Sequence, residues 1–186
     1  MGEFHQEAWP DWATEKISIA APDPAWLNKG LHEVAELKQL LAQYGVVQIE
    51  HIGSTSIPGM PAKPIIDVMA KIQSFEEIDR IAEMLEVHRW SYVPPELDGR
   101  TYRRFFVRVR NDRRECHLHL MLDKEPRWEK QLQFRDRLRE QPKWAQQYAE
   151  LKGSWHKRIR MIERHTRLQK QSLFFVYLEA RGEACV

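Results

Sequence analysis

A chain of 186 residues with 42% hydrophobic and 30% charged residues carries enough apolar material for one core and a well-solvated surface. Its net charge of +2 creates no global field toward nucleic acid or a membrane, and the two cysteines, Cys116 and Cys185, have neither metal-ligand nor secretory disulfide spacing. No basic-then-apolar leader opens the sequence, and no stretch approaches the ~20 apolar residues of a bilayer span, so a cytoplasmic location without a membrane partner is expected.

Residues 1–15 contain Trp9, Pro10 and Trp12 without periodicity and read as a loose arm. Lys16 to Ala20 is a candidate edge strand. Asp23 can cap a helix opening at Pro24, with Leu27, Leu31, Val34, Leu37, Leu40 and Leu41 at helical spacing and Gly45 as its stop. Val46 to Ile52 and Ile65 to Ile72 read as strands, the second apolar on both faces and therefore central. Ser74 is placed to cap a helix reaching Val87, and Val93 to Gly99 to form a loop. Tyr102 to Arg110 and Cys116 to Leu122 make a hairpin about a four-residue turn, Asn111 to Arg114. From Pro126 the pattern is helical to about Ala180, with breaks near Gln141-Pro142 and Gly153. The expected order is one domain over 16–186, an α/β core to about residue 124 and a helical extension over 125–181.

The informative segment is His51-Ile52-Gly53-Ser54-Thr55-Ser56, a strand running into glycine and three hydroxyl residues. Backbone N–H groups and hydroxyls of Gly53, Ser54 and Thr55 can cradle phosphate oxygens; an ordinary turn with a Ser/Thr cap is the plainer alternative. The Walker lysine spacing is absent. Asp67 sits inside the otherwise apolar strand Ile65 to Ala70, where a carboxylate is costly unless paired or bound to a cation. It is either a metal anchor or a structural hydrogen-bond acceptor. Lys63, just before that strand, is a candidate phosphate contact.

The run HIGSTSIPGMPAKPIIDVMAKI closely resembles the signature of the GrpB family, of the nucleotidyltransferase-fold superfamily. WLNKGLHEVAELKQLL before it, HLHL at 117–120 and FRDRLREQPKWAQQYAELK at 134–152 extend the resemblance. It implies an α/β (α+β), mixed-sheet nucleotidyltransferase-like fold with a C-terminal helical region. It also implies Gly53 and Ser54 as the Gly-Ser element, Asp67 as the first metal-binding acid, and a catalytic role for His119 in an HLH element beside the cleft. The ligand implied is a nucleoside triphosphate with Mg²⁺, its nucleotidyl group passing to a hydroxyl acceptor. Active members of the superfamily carry a second acid two residues along this strand, and here that position is Met69. Glu50 is taken as the further metal ligand, with Glu115 and Asp123 as alternatives.

A four-residue hairpin turn pairs Arg108 with His117 and Phe106 with His119. Arg104, Phe106, Arg108, His117 and His119 would then share one face, with the arginines as phosphate clamps and Phe106 stacking a base. Phe105, Val107, Val109, Leu118 and Leu120 would face the core. Tyr102 and Arg103 are assigned to the rim. Between Lys152 and Lys170 the sequence is basic, with Glu163 its one acid, which admits RNA binding as an alternative to a solvated helix. A catalytically inactive nucleotide-binding module is the further alternative.

Overall fold

The structure is a computed structural model and describes residues 11–14, 18–46 and 48–161, with side chains to residue 154. Residues 1–150 form one compact unit and residues 151–186 a second. Residues 1–10 and 15 of the expected N-terminal arm, and the basic stretch beyond Met161, lie outside the described residues.

A short helix α1 (Asp11–Thr14) precedes α2 (Ala25–Leu41). Asp23 Oδ1 accepts the Ala25 N–H at 2.9 Å, so the expected cap is present. The buried stripe of α2 is Trp26, Gly30, Glu33, Leu37 and Leu41. Leu31, expected in that stripe, is 68% exposed. The helix turns its Gly30–Glu33 side to the sheet because both positions have work there: Gly30 admits the His51 ring and Glu33 pairs with Arg108.

Five strands follow: β1 (Ile49–Ile52), β2 (Ile66–Ile72), β3 (Trp90–Val93), β4 (Arg103–Arg110) and β5 (Arg113–Leu122), in the sheet order β1-β2-β5-β4-β3. β2 and β5 run parallel at the centre, and every other pairing is antiparallel. The sheet is mixed, as expected, and the fold is α+β. Of the expected edge strand Lys16 to Ala20, the described residues show Ala20 bridging Ala62. β3 is an addition to the expected elements: Trp90 to Val93 falls between the expected helix end at Val87 and the expected loop from Val93.

Helix α3 (Ile78–Val87) and helix α2 cover one face of the sheet, burying Leu37, Leu41, Ile81 and Leu85 against Val68, Ala70, Phe106, Leu118 and Leu120. After a short helix α4 (Pro95–Asp98), α5 (Arg127–Glu140) covers part of the other face. Its Trp128 is buried with Ile52, Met69 and Met121. Helix α6 (Pro142–Met161) opens at the expected break but runs straight through Gly153. Phe134, Leu138, Trp144 and Tyr148 pack on Ile57 and Met60. No helix among the described residues is long and apolar enough to cross a membrane.

Candidate functional site

The hairpin register decides which side chains meet. Asn111 and Asp112 both have positive φ (50° and 55°), which fits a two-residue turn of the kind that matches strand twist. Arg110 therefore pairs with Arg113, and an irregularity between Arg108 and Val109 sets the rest of the ladder. Val107 lies opposite His117 and Phe105 opposite His119. The shorter turn alone moves the register two steps from the expected pairing and keeps the faces, but the irregularity takes one step back, and that single step exchanges them. Arg104, Phe106 and Arg108 are on the helix-covered side, while Arg103 and Phe105 share the face of the two histidines.

Arg108 is consequently a structural tether. It pairs with Glu33, bonds Glu36 at 3.0 Å, and lies 5.2 Å from the Trp90 ring centroid. Arg104 sits 4.1 Å over Phe75 and bonds the carbonyls of Thr101 and Arg103. Neither reaches the face that carries Asp67, which corrects their expected role as phosphate clamps. Phe106 is fully buried against Tyr92, 5.0 Å away, so its ring is closed to a stacking base.

On the other face, parallel pairing sets Asp67 beside His117 and Met69 beside His119. His117 Nδ1 is 2.9 Å from Asp67 Oδ1, and His119 Nε2 is 3.7 Å from the same oxygen. Phe105 holds both rings, stacked on His119 at 5.2 Å and edge-on to His117 at 5.1 Å. Arg103 lies over Phe105, donates from Nη1 to His119 Nδ1, and is clamped by Asp98 through Nε (2.8 Å) and Nη2 (2.6 Å). The result is a continuous chain from Asp98 through Arg103 and His119 to Asp67, with His117 on its far side. His117 Nε2 is buried without a hydrogen-bond partner.

The electrostatics fix the protonation states. Burial raises the Asp67 carboxyl, but the charge of Lys63, the hydrogen bond from His117 and the nearby His119 imidazole outweigh it and hold the group well below the usual range. Burial pushes His119 down to about 4 despite the nearby Asp67 carboxylate, and lowers His117 as well. An ionised carboxylate thus faces two neutral imidazoles near neutral pH.

Gly53 brings the Gly-Ser turn onto this cluster. It has φ 72° and ψ −175°, a region open essentially to glycine alone. A Cβ there would stand 2.7 Å from Asp67 Oδ2. Ser54 to Ser56 form a 3-10 turn, yet their hydroxyls are already engaged. Thr55 donates to Ile65 O at 3.3 Å and faces His51 Nε2 at 3.1 Å; Ser56 donates to Gly53 O at 2.6 Å; Ser54 hydrogen-bonds Tyr148. Thr55 therefore builds the turn, and its side chain is not free for a phosphate.

Glu50 shares this face but lies beside Met69, 2.7 Å from Arg135 of α5. The cluster whose ligand atoms all lie within 4.8 Å of one another consists of Asp67, His117 and His119. Mg²⁺, the ion implied by the resemblance, takes oxygen ligands in near-ideal octahedra. One carboxylate and two imidazoles fit it poorly.

Sequence reasoning singled out Asp67 and His119 and gave His117 second place. It assigned Arg103 only to the rim and missed Asp98; position 103 on the histidine face would have been the signal had the hairpin register been known.

A family model, "GrpB protein", matches residues 16–179. The chain is 36% identical over 137 residues to UPF0157 protein YqkA of Bacillus subtilis, covering 74% of this chain and 39% of that protein. It is 33% identical over 159 residues to UPF0157 protein PA4798 of Pseudomonas aeruginosa, covering 83% and 63%. The chain thus spans less than two thirds of either curated relative. Among solved structures, the conserved protein GrpB from Enterococcus faecalis superposes with a TM-score of 0.68 at 31% identity, over 76% of this chain and 84% of that one.

Proposed function

The chain belongs to the GrpB family, and from that premise we propose that it binds a nucleoside triphosphate beside Asp67, as a nucleotidyltransferase-like protein directed at a hydroxyl acceptor. One observation carries this reading: the close approach of Gly53 to the Asp67 carboxylate, which puts the Gly-Ser turn and the strand acid at one point. Backbone N–H groups of such a turn suit phosphate oxygens, and Lys63 adds positive charge at the same place.

Met69 favours a second reading, a nucleotide-binding module without turnover. The side chain is fully buried at the position of the second acid, and Glu50 is held by Arg135. Two-ion phosphoryl chemistry places its cations ~4 Å apart between shared carboxylates, and Asp67 alone cannot do that.

The test is thermal unfolding of wild type and Asp67→Ala with each nucleoside triphosphate, with and without a divalent cation, alongside pyrophosphate release. A ligand confined to the native state stabilises it by ~2.7 kcal/mol at a hundredfold excess over Kd. The expected result is a rise in the wild-type midpoint that the mutant loses. Pyrophosphate release then distinguishes enzyme from module, and no shift at millimolar nucleotide removes both.

A further inference from the structure

We propose that Asp67, His117 and His119 bind a divalent transition-metal ion, Zn²⁺ in the first place, rather than Mg²⁺. The inference concerns the same site as the nucleotide reading and rests on it for location, not for ligand. The donor set is one carboxylate oxygen and two imidazole nitrogens, which suits Zn²⁺ and its first-row neighbours and not a hard ion that keeps oxygen ligands. The spacing agrees. Donors at ~2.1 Å from a tetrahedral ion stand ~3.4 Å apart, and the two separations from Asp67 Oδ1, 2.9 Å and 3.7 Å, lie on either side of that value. Three protein ligands leave a fourth position for water or a substrate oxygen, the pattern of zinc sites that do chemistry.

The surroundings are also those of a ligand site. Phe105 fixes both ring planes. An ion on His119 Nε2 moves that ring's proton to Nδ1, so Arg103 Nη1 must give up its contact there. The two bonds from Arg103 to Asp98 hold the guanidinium in place meanwhile.

The experiment uses the full chain, stripped with a chelator and titrated with Zn²⁺ by calorimetry and with Co²⁺ by visible absorption. Expected are one equivalent of Zn²⁺, intense tetrahedral Co²⁺ bands, at least a tenfold loss of affinity in His117→Ala and in His119→Ala, and no heat with millimolar Mg²⁺. Equal Zn²⁺ binding in wild type and both variants overturns the proposal. Should an alanine variant fail to fold, the wild-type Co²⁺ spectrum decides: weak octahedral bands, or none, overturn it too. Zn²⁺ uptake without any nucleotide response would refute the nucleotide reading alone. A nucleotide response with Mg²⁺ and no Zn²⁺ uptake would refute only this one.

Discussion

The two faces of the central strand pair come from the same residues in alternation, yet they are built by opposite rules. On the helix-covered face, Val68, Ala70, Leu118 and Leu120 of β2 and β5 are all fully buried. On the other face the intervening residues are Asp67, Met69, His117 and His119, with one carboxylate 18% exposed and its histidines just behind it. The first face gives the sheet a reason to fold, because apolar area leaves water. The second contains groups whose burial costs free energy unless each finds a partner. One face therefore supplies stability that the other can spend on chemistry.

The largest effect should come from breaking the apolar face. Phe106→Ala removes a fully buried ring, and an expected loss of about 3 to 5 kcal/mol should be seen in denaturant unfolding. A loss below 1 kcal/mol would mean that the two faces are not divided as described.

Next comes His51, which points into the helix-covered side and is pushed by burial down to about 4. Between that value and the ordinary 6.5 the unfolded chain binds a proton that the folded chain does not, so stability falls as pH falls. Wild type should lose roughly 3 kcal/mol more than His51→Gln between pH 7 and pH 4. Urea midpoints of the two proteins across that range check it, and parallel curves would show that His51 is not the group responsible.

The smallest effect on stability, with the largest on ligand response, is expected for Gly53→Ala. Its backbone conformation and its contact with Asp67 together cost on the order of 1 to 3 kcal/mol. The nucleotide-induced shift should disappear while the protein still folds, as judged by circular dichroism alongside the thermal scan. A retained shift would separate the Gly-Ser turn from the ligand.

Much of the fold was legible because local chemistry specified it. Asp23 and Gly45 marked the ends of α2, and the apolar run around Asp67 marked a central strand. The Gly-Ser turn and Asp67 were legible as candidates for the same reason: a glycine with hydroxyls after a strand and an acid in an apolar run are conspicuous. The composition of the polar face was not. Placing Arg103 rather than Arg104 beside His119 depended on the irregularity between Arg108 and Val109, a single register step that hydrophobic alternation cannot resolve. Leu31 misled because a helix can bury a glycine and a glutamate when the sheet offers an imidazole and a guanidinium to meet them.

The parallel pairing of β2 with β5 has a temporal consequence. Asp67 and His117 are neighbours across one ladder, but the chain between them must first run through α3, β3, α4 and β4. Contacts of such long sequence separation cost loop-closure entropy before they return any stability, so they form late. The constellation is therefore assembled by the closing step of the sheet rather than by any local segment. A nascent or partly unfolded chain would hold the Gly-Ser turn and the acid without the histidines, and could not retain an ion that needs all three donors.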